Sequence, residues 1–456
     1  MGLDVWQWLA LAERELLLFA GVFFLLGAVD ELFVDAAWLW LRATRRARTH
    51  VFSPGTPHSA RRAAVLVPAW QERAVLAATL RHMLAAWHGA PVRIWVGTYA
   101  NDPATGAIAA AAAQANPAVR HYVLEHHGPT TKADCLNHLY HALAMDERQS
   151  AERADYVLIH DAEDMVDPRA LAVIGQARDD GADLVQLPVL PMPVAGSPWI
   201  AGHYIDEFCE SHGKAMVVRD ALCVGLPSAG VGCAVGREWL DRLAAAAPDG
   251  NPFARGSLTE DYELGLRLAA LGARTRFIRR RGADGLLVAT RAFFPTSLSA
   301  AVRQKTRWVH GIAFQGWDSL GWHRRPAEIW FRLRDRRGPL TALILGAAYL
   351  LLVLAAVGWL ARLAGGGASL PLGPGFKLLL AVNLASLLWR AANRAAFTAR
   401  EHGWAEGMRA VLRIPVSNII AIMAGRRALM AYLAALAGRP LRWDKTEHTD
   451  HPALAG

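Results

Sequence analysis

The sequence has few cysteines and no pattern that would join them. Its 456 residues include four, Cys135, Cys209, Cys223 and Cys233. None has a second Cys or a His at zinc-site spacing, so neither a disulfide framework nor a zinc site is expected, and free thiols are typical of a reducing compartment. Charged residues are 20% of the chain against 53% hydrophobic ones, which excludes a disordered protein. The 39 glycines lack a period of three, which excludes collagen.

The N-terminal region lacks basic residues where a signal peptide would carry them. Residues 16–41 are nearly all apolar and long enough to cross a bilayer, while residues 1–12 contain no Lys or Arg and no small-residue cleavage site follows. Residues 42–62 hold six Arg and no acid, which places that side in the cytoplasm. We therefore expect a transmembrane helix at 1–42 and a basic cytoplasmic linker at 43–62. Asp30 and Glu31 either mark an intramembrane pathway or ion pair, or lie near the cytoplasmic interface or against a neighbouring helix.

Two more apolar runs, 340–360 and 376–392, predict two transmembrane helices within 336–395. Arg390, Arg394 and Arg400 around the end of the second run again indicate the cytoplasmic side. Residues 414–424 form a short apolar run containing Pro415, and two arginines follow it. For 396–456 we therefore expect interfacial helices and a cytoplasmic tail, with a fourth span as the alternative. The protein is expected to be a multi-pass protein of a bacterial inner membrane.

Residues 63–335 are expected to form a cytoplasmic α/β domain. Apolar strands are predicted at 63–68, 92–97, 119–124 and 156–160, alternating with helices at 75–87, 104–115 and 134–144. This alternation predicts a mostly parallel sheet covered on both faces. Ligands of such sheets bind beyond the carboxyl ends of the strands, where this sequence places clusters of polar residues.

The sharpest polar cluster is Asp161-Ala162-Glu163-Asp164, directly after an apolar strand. Carboxylates this close are unfavourable unless a cation or hydrogen-bond donors compensate them. Their hard oxygens suit Mg²⁺ or Mn²⁺ held together with substrate phosphates. The alternative is a solvated acidic turn in which Asp164 caps the following helix.

Two further motifs are expected to contribute to the same chemistry. Thr259-Glu260-Asp261 opens a helix, either as a cap with acids at the positive helix end or as the source of a general base. Gln304, Arg307 and Trp308 share one face of a helix over 297–314. Arg binds phosphate oxygens as a fork and Trp offers a flat stacking wall, although a basic helix on a membrane surface is the alternative.

Together these motifs resemble the membrane-bound, processive family 2 glycosyltransferases, such as cellulose and hyaluronan synthases. The closer likeness is to the bacteriophage adsorption protein B group, without the C-terminal cyclic di-GMP-binding domain that its members often carry. The strings that carry the resemblance are VPAWQE (67–72), GTYANDPAT (97–105), KADCLN (132–137), HDAEDMV (160–166), PSAGVGCA (227–234), SLTEDYELGLRL (257–268), RQKTRWVHGIAFQGW (303–317) and WDKTEH (443–448).

The resemblance implies a GT-A type domain, a UDP-sugar donor and an inverting mechanism. It implies a general base with a neighbouring acid, a donor pocket, an acceptor side and a metal site. Asp261 would be the general base, with Glu260 as the neighbouring acid. The donor pocket would be formed by Glu72, Asp102, Lys132, Asp161 and Arg307, and the acceptor side by Gln304, Trp308, Gly232 and Cys233. The metal site for Mg²⁺ or Mn²⁺ would be formed by Asp161, Glu163 and Asp164.

Two positions depart from the family pattern. Glu163 replaces the usual second Asp of the metal motif, so coordination is expected to shift toward Asp164. Thr98 and Tyr99 replace the usual acidic pair at the uracil, where Asp102 is expected to serve instead.

The expected function is β-linked polysaccharide synthesis coupled to export, through the chain's own helices or an export or regulatory partner. The alternatives are transfer of one sugar to a lipid carrier and a non-catalytic receptor or scaffold. No nucleic-acid partner is expected, because the basic stretches flank membrane segments.

Overall fold

The computed structural model describes residues 4–47, 49–52, 60–368, 370–438 and 451–454. The WDKTEH string of the sequence analysis lies outside the described residues. The strands are β1 (His50–Val51), β2 (Ala63–Pro68), β3 (Val92–Tyr99), β4 (Val119–Leu124), β5 (Tyr156–Ile159), β6 (Leu184–Gln186), β7 (Val189–Pro191), β8 (Cys233–Gly236), β9 (Thr275–Phe277), β10 (Arg280–Arg281) and β11 (Thr290–Ala292).

The α-helices alternate with the strands and then form the C-terminal part. They are α1 (Val5–Ala43), α2 (Leu76–Ala86), α3 (Pro103–Ala115), α4 (Lys132–Ser150), α5 (Ala170–Asp179), α6 (Ile200–Glu210), α7 (Met216–Ala221), α8 (Arg237–Ala246), α9 (Glu260–Ala270), α10 (Leu298–Val309), α11 (Gly316–Leu320), α12 (Pro326–Arg336), α13 (Gly338–Leu363), α14 (Pro374–His402), α15 (Trp404–Leu412) and α16 (Ile414–Leu436). One-turn π-helices at Ser211–Ala215 and His310–Gln315 continue α6 and α10.

One mostly parallel sheet forms the centre of the α/β unit. Its strand order is β4-β3-β2-β5-β8-β6-β9, and only β8 runs antiparallel to its neighbours. Apolar side chains of α2, α3 and α5 cover one face and those of α4, α8 and α9 the other. The four predicted strands and the three predicted helices are therefore confirmed. The strands were recognisable in the sequence because a strand that is buried on both faces consists of a continuous run of apolar residues.

Among the described residues, four helices are long and apolar enough to cross a membrane, by length and composition: α1, α13, α14 and α16. The first three lie together, with α1 in contact with both α13 and α14. Two bounds differ from the sequence prediction. Helix α1 begins at Val5, ahead of the apolar run, and α14 continues to His402, beyond the predicted limit at 395.

Helix α16 is continuous where the sequence predicts an interruption. Pro415 lies in its first turn, where a missing N–H costs no hydrogen bond. The helix contacts the α/β unit along its length, since Ile420 packs against Tyr204 and Val302, and Tyr432 stacks on Phe314 at 4.6 Å. Helix α16 also packs along α13, another candidate span, where Asn418 Nδ2 lies 3.5 Å from the Tyr349 hydroxyl. The interfacial placement and the fourth span therefore both stay predictions.

The acids of α1 lie against the α/β unit rather than lining a pathway. Arg337 lies 2.5 Å from both Asp30 and Glu31, and Arg334 pairs with the same two acids. Lys214 Nζ lies 2.7 Å from Asp35 Oδ1. These ion pairs, called the α1 seam below, join the first membrane helix to the rest of the protein and match the expectation that the acids face neighbouring elements.

Candidate active site

A cavity of about 510 Å³ opens beyond the carboxyl ends of β2, β3 and β5. Parallel strands bring their ends to one edge of a sheet, so residues far apart in sequence meet there. Ten of the residues expected in the site line this cavity: Glu72, Lys132, Asp161, Glu163, Asp164, Glu260, Asp261, Gln304, Arg307 and Trp308. The structure thus joins motifs from five separate segments of the chain.

Lys132 at the start of α4 is the central cation of the cavity. Its Nζ lies 2.5 Å from Asp161 Oδ1 and donates a hydrogen bond to Gly230 O at 3.1 Å. Burial alone would lower the pKa of Lys132, but the carboxylates of Asp161, Glu260 and Asp261 raise it above its usual value. The ammonium group is therefore charged at neutral pH and can stabilise a diphosphate as well as the nearby acids.

The predicted metal carboxylates divide into two groups. All three line the cavity, but only Asp161 and Glu163 are partly exposed there, with the Asp161 side chain 34% exposed. Asp164 is fully buried, where its Oδ2 accepts the Asp161 N–H at 2.9 Å and lies 2.7 Å from His160 Nδ1. Burial raises the pKa of Asp164, and the bond to His160 opposes that rise. Asp164 therefore holds the turn in shape, and the prediction that coordination shifts toward it is not supported.

The remaining pair fits a divalent cation of the Mg²⁺ or Mn²⁺ kind. Such ions are commonly held by one or two carboxylates together with substrate phosphates, which Asp161 and Glu163 would allow. Across the described ranges, no three His, Cys, Asp or Glu side chains form a group that would hold a metal alone.

Glu260 and Asp261 begin α9 inside the cavity. Burial, followed by the neighbouring Asp261 carboxylate, raises the pKa of Glu260 to about 7. Burial also raises the pKa of Asp261, while Lys132 and Arg307 oppose that rise. A carboxylate whose pKa is raised toward neutrality is a better proton acceptor than a solvated one. The alternative role as a helix cap is not observed for Thr259, because its hydroxyl makes no hydrogen bond within the described residues.

The loop at 229–233, which the resemblance places on the acceptor side, approaches Asp261 through Gly230. Gly230 has a φ of +79°, and a Cβ added there would overlap Oδ2 of Asp261. Only glycine adopts this backbone conformation at low cost and leaves room for the carboxylate. Of the two glycines at 230 and 232, Gly230 is the one that lines the cavity.

The predicted residues Gly232 and Cys233 do not line the cavity. Gly232 turns the chain into β8, and its own N–H donates to Ile159 O. Cys233 is fully buried in β8, and burial raises the pKa of its thiol to about 12. Both residues directly follow the part of the loop that lines the cavity, Ala229 to Val231, because the sheet begins at residue 233.

Asp102 is also absent from the cavity lining. Its carboxylate accepts the Gln71 N–H at 2.6 Å and the Thr105 N–H at 3.3 Å, so it caps α3 and fixes the loop after β2. An acid with these two backbone bonds is occupied as a helix cap. The prediction that it contacts the base of a nucleotide is therefore not supported.

Two aromatic residues form the cavity wall at the ends of β2 and β3, and the sequence analysis did not assign them. Trp70 and Tyr99 pack edge to face with centroids 5.2 Å apart, and the Tyr99 hydroxyl lies 2.6 Å from Thr130 Oγ1. Their position directly after two strands was the available signal. Flat rings at this place can stack against a nucleotide base.

The motif on α10 forms the opposite wall. Gln304, Arg307 and Trp308 line the cavity as their helical spacing predicted. Gln304 Oε1 is buried and has no hydrogen-bond partner within the described residues. Trp308 packs near Phe208 with centroids 6.2 Å apart, and both rings line the cavity. This end of the cavity therefore offers aromatic faces and an amide acceptor, which is the chemistry that binds sugars.

The family assignment follows from a sequence comparison. The family model described as "Glycosyltransferase like family 2" matches residues 60–311, which is more than half of the chain. The protein therefore belongs to the glycosyltransferase-like family 2, as the order of motifs predicted.

Individual relatives agree with this assignment. Bacteriophage adsorption protein B of Escherichia coli K12 is 32% identical over 483 aligned residues, which cover 100% of this chain and 64% of that protein. Bacteriophage N4 adsorption protein B of Escherichia coli O157:H7 has the same identity and coverage. The predicted likeness to this group is confirmed, and the chain spans just under two thirds of the length of these curated relatives.

A solved structure confirms the fold class. The mannosyltransferase PcManGT of Pyrobaculum calidifontis, solved with GDP-Man and Mn²⁺, superimposes with a TM-score of 0.52 at 17% identity. The superposition covers 90% of this chain and 99% of that one. The predicted GT-A type domain with additional membrane-like helices is therefore confirmed as a fold.

Proposed function

We propose that the protein transfers a sugar from a UDP-sugar to a hydroxyl of a growing β-linked polysaccharide, with inversion at the anomeric carbon. The observation that carries the proposal is that Asp161, Lys132, Asp261 and Arg307 share one cavity although they come from four separate segments. Two cationic side chains suit a diphosphate, and a buried carboxylate suits an acceptor hydroxyl. Family membership supports the same reaction class.

The proposed mechanism assigns one task to each group. Asp261 removes the proton of the acceptor hydroxyl, and that oxygen attacks the anomeric carbon while the bond to the diphosphate breaks on the opposite side. The diphosphate leaves with the bonding electron pair, and Arg307 and Lys132 stabilise its charge. A divalent cation held by Asp161 and Glu163 would supply further charge neutralisation. Glu72 and the rings of Trp70 and Tyr99 are proposed to line the nucleotide end.

The α10 end of the cavity is proposed to hold the acceptor. Gln304 and Trp308 provide a hydrogen-bond acceptor and a stacking surface, which suits repeated binding of a sugar chain. We propose that the reaction is processive and takes place on the cytoplasmic face of a bacterial inner membrane. Export would follow along the membrane helices or through a partner protein.

A single-transfer reaction onto a lipid carrier is the second candidate. Within the described residues four helices, α1, α13, α14 and α16, are candidate spans. Four helices are few for a self-contained channel, and this observation favours a lipid-linked acceptor or a separate export partner. A non-catalytic scaffold remains the third alternative, and loss of activity in a single carboxylate variant separates it from both enzymes.

The experiment is nucleotide release by the full chain in detergent, over a panel of UDP-sugars and GDP-mannose, with Mn²⁺, Mg²⁺ or a chelator. We expect release with one UDP-sugar, dependence on the metal, and a loss of about 10²- to 10⁴-fold in Asp261→Asn. Asp318→Asn, an exposed carboxylate on α11, is the matched control and should leave the rate unchanged. Release that Asp261→Asn retains would contradict the mechanism, and extraction of the labelled product would separate polymer from lipid-linked sugar.

A further inference from the structure

The turn 161–166, which carries the two proposed metal carboxylates, is held by side chains that lie outside the cavity. The Thr79 hydroxyl of α2 donates a hydrogen bond to Ala162 O, and His82 Nε2 of the same helix lies 2.8 Å from Val166 O. Neither Thr79 nor His82 lines the cavity. Helix α2 therefore fixes two backbone carbonyls of the 161–166 turn from the side that faces away from the substrate.

A third contact to the 161–166 turn comes from a distant segment of the chain, residues 451–454. His451 of this segment is 1% exposed, and its Nε2 lies 3.3 Å from Asp164 O. Its ring also lies beside that of His82, with the ring centroids 6.5 Å apart. The segment 451–454 therefore joins α2 to the turn, and His451 does not line the cavity either.

The direction of the hydrogen bond between His451 and Asp164 follows from the other ring nitrogen. Nδ1 of His451 accepts the Ala453 N–H at 3.0 Å, so Nδ1 carries no proton. Burial lowers the pKa of His451, which keeps the ring neutral at pH 7. A neutral imidazole whose Nδ1 is unprotonated carries its proton on Nε2. His451 is therefore the donor and Asp164 O the acceptor, and the segment itself fixes the tautomer.

Asp164 is the residue at which this contact meets the metal motif. Its Oδ2 accepts the Asp161 N–H at 2.9 Å and lies 2.7 Å from His160 Nδ1, while its backbone carbonyl faces His451. A shift of Asp164 would therefore move the backbone of Asp161, whose carboxylate is in the cavity. Residues that hold the ligands of a metal in place raise the affinity for that metal, although they do not touch it.

We propose that His451 is a positioning residue of the proposed metal and diphosphate site. By holding Asp164 O, it keeps the 161–166 turn in the conformation in which Asp161 and Glu163 both line the cavity. Its loss should weaken metal binding without abolishing it, because Thr79 and His82 still hold the turn. The identity of the bound ligands rests on the proposed function, whereas the ordering of the turn by His451 does not.

The first measurement is amide hydrogen exchange in the metal-free full chain in detergent, followed in peptides that cover residues 160–167. His451→Phe keeps a ring but removes the donor, so these peptides should exchange about five-fold faster. His451→Gln supplies an amide N–H near the position of Nε2 and should stay within about two-fold of the unchanged protein. Equal exchange in His451→Phe and the unchanged protein would overturn the positioning role.

The second measurement is Mn²⁺ binding in the presence of UDP, read from the electron paramagnetic resonance signal of free Mn²⁺. His451→Phe should weaken this binding about five-fold, and His451→Gln should retain most of it. His141→Phe is the matched control, because it removes a histidine contact of 2.9 Å to Asn251 Oδ1 outside the cavity lining. It should leave both measured quantities within about two-fold of those of the unchanged protein.

The outcomes separate this inference from the proposed function. Mn²⁺ binding of equal strength in His451→Phe and the unchanged protein would overturn the role of His451 alone. A lower Tm in His451→Phe with unchanged Mn²⁺ binding would show that the contact only stabilises the fold, which also overturns it. No Mn²⁺ binding by the unchanged protein would overturn the proposed metal site, and hydrogen exchange would still decide whether His451 orders the turn.

Discussion

At the level of individual side chains, the candidate site depends on carboxylates that are buried but compensated. Lys132 contacts Asp161 and raises the local positive charge next to Glu260 and Asp261. Without that cation, the pKa values of the two adjacent buried acids would be raised further. The cavity therefore keeps a proton acceptor ready and uses the same lysine for the diphosphate.

Gly230→Ala should strongly reduce nucleotide release, because the added methyl group would overlap the Asp261 carboxylate. Gly250→Ala is the matched control, since Gly250 also has a positive φ, +68°, but its Cβ would meet open space. Both changes should cost about 1 kcal/mol of backbone strain. Only Gly230→Ala should lower the release rate, by about ten-fold or more. Equal rates in the two variants would show that the close approach has no role.

Glu260→Gln should raise the thermal stability of the metal-free protein at pH 8. The folded-state pKa of Glu260, about 7, lies above its unfolded value, so the stability that this group contributes is present at low pH and is lost as pH rises toward 7. The amide removes that loss, and the gain in Tm should therefore be larger at pH 8 than at pH 5. The measurement is thermal unfolding in detergent with a chelator.

Glu125→Gln is the control for that measurement, because Glu125 is exposed. Its difference in Tm from the unchanged protein should not vary between the two pH values. A Glu260→Gln difference that is likewise independent of pH would contradict the raised pKa.

In the active protein, the rate of nucleotide release should increase as pH rises through about 7, as the Glu260–Asp261 pair becomes ionised.

At the level of secondary structure, α15 and α16 are fastened to the α/β unit by one buried arginine. Arg413 lies between these helices with a side chain that is 0% exposed. It pairs with Asp206 of α6 at 2.5 Å and with Glu406 of α15. The attraction within a buried ion pair of this kind is largely offset by the cost of removing both charges from water, so its net contribution to stability is small. Removing one partner is strongly destabilising, because the other charge stays buried without a counter-charge.

Arg413→Met should destabilise the protein by about 3–5 kcal/mol, because it leaves Asp206 buried without its cation. Arg409→Met is the matched control: Arg409 pairs with the same Glu406, but it is 56% exposed and should cost at most about 1 kcal/mol. Thermal unfolding in detergent measures both. Similar small effects would show that the Arg413 pairs do not fasten the helices.

The four strands from β2 to β5 were predicted, whereas the short strands from β6 to β11 and the continuous helix α16 were not. Apolar runs such as 63–68 and 156–160 form strands because a strand buried on both faces has to be apolar throughout. For α16, the paired arginines at 426 and 427 indicated an interruption. The helix continues because neighbouring surfaces, such as Phe314 beneath Tyr432, stabilise it through tertiary contacts.

Across the molecule, the α1 seam connects the first membrane helix to the cavity. Lys214 contacts Asp35 of α1 and belongs to the π-helical turn Ser211–Ala215. Ser211 and His212 of that turn line the cavity. A π-helical turn is a frequent feature of functional sites. The Lys214–Asp35 ion pair therefore joins α1 to a turn that lines the cavity.

Lys214→Met should lower Tm and reduce nucleotide release, because it leaves the buried Asp35 carboxylate without its main cation. The double variant Lys214→Met/Asp35→Asn should recover part of the lost stability, which a double-mutant cycle measures. Lys377→Met, an exposed lysine at the start of α14, is the control and should change neither quantity. Strictly additive losses in the double variant would contradict a direct pairing.

The linear order of residues determined the fold class and most of the cavity, since Glu72, Asp161 and Arg307 are recognisable from type, spacing and position after strands. It could not show that Gly230 lines the cavity and Gly232 does not. Nor could it show that Asp102 accepts backbone hydrogen bonds, or that Asp164 contacts His160 and accepts the Asp161 N–H. Those distinctions depend on which residues face the cavity. A loop that is one residue longer or shorter turns different residues toward it. Burial and partners set the direction of each pKa shift, and they exist only once distant segments such as β5, α4 and α9 are packed together.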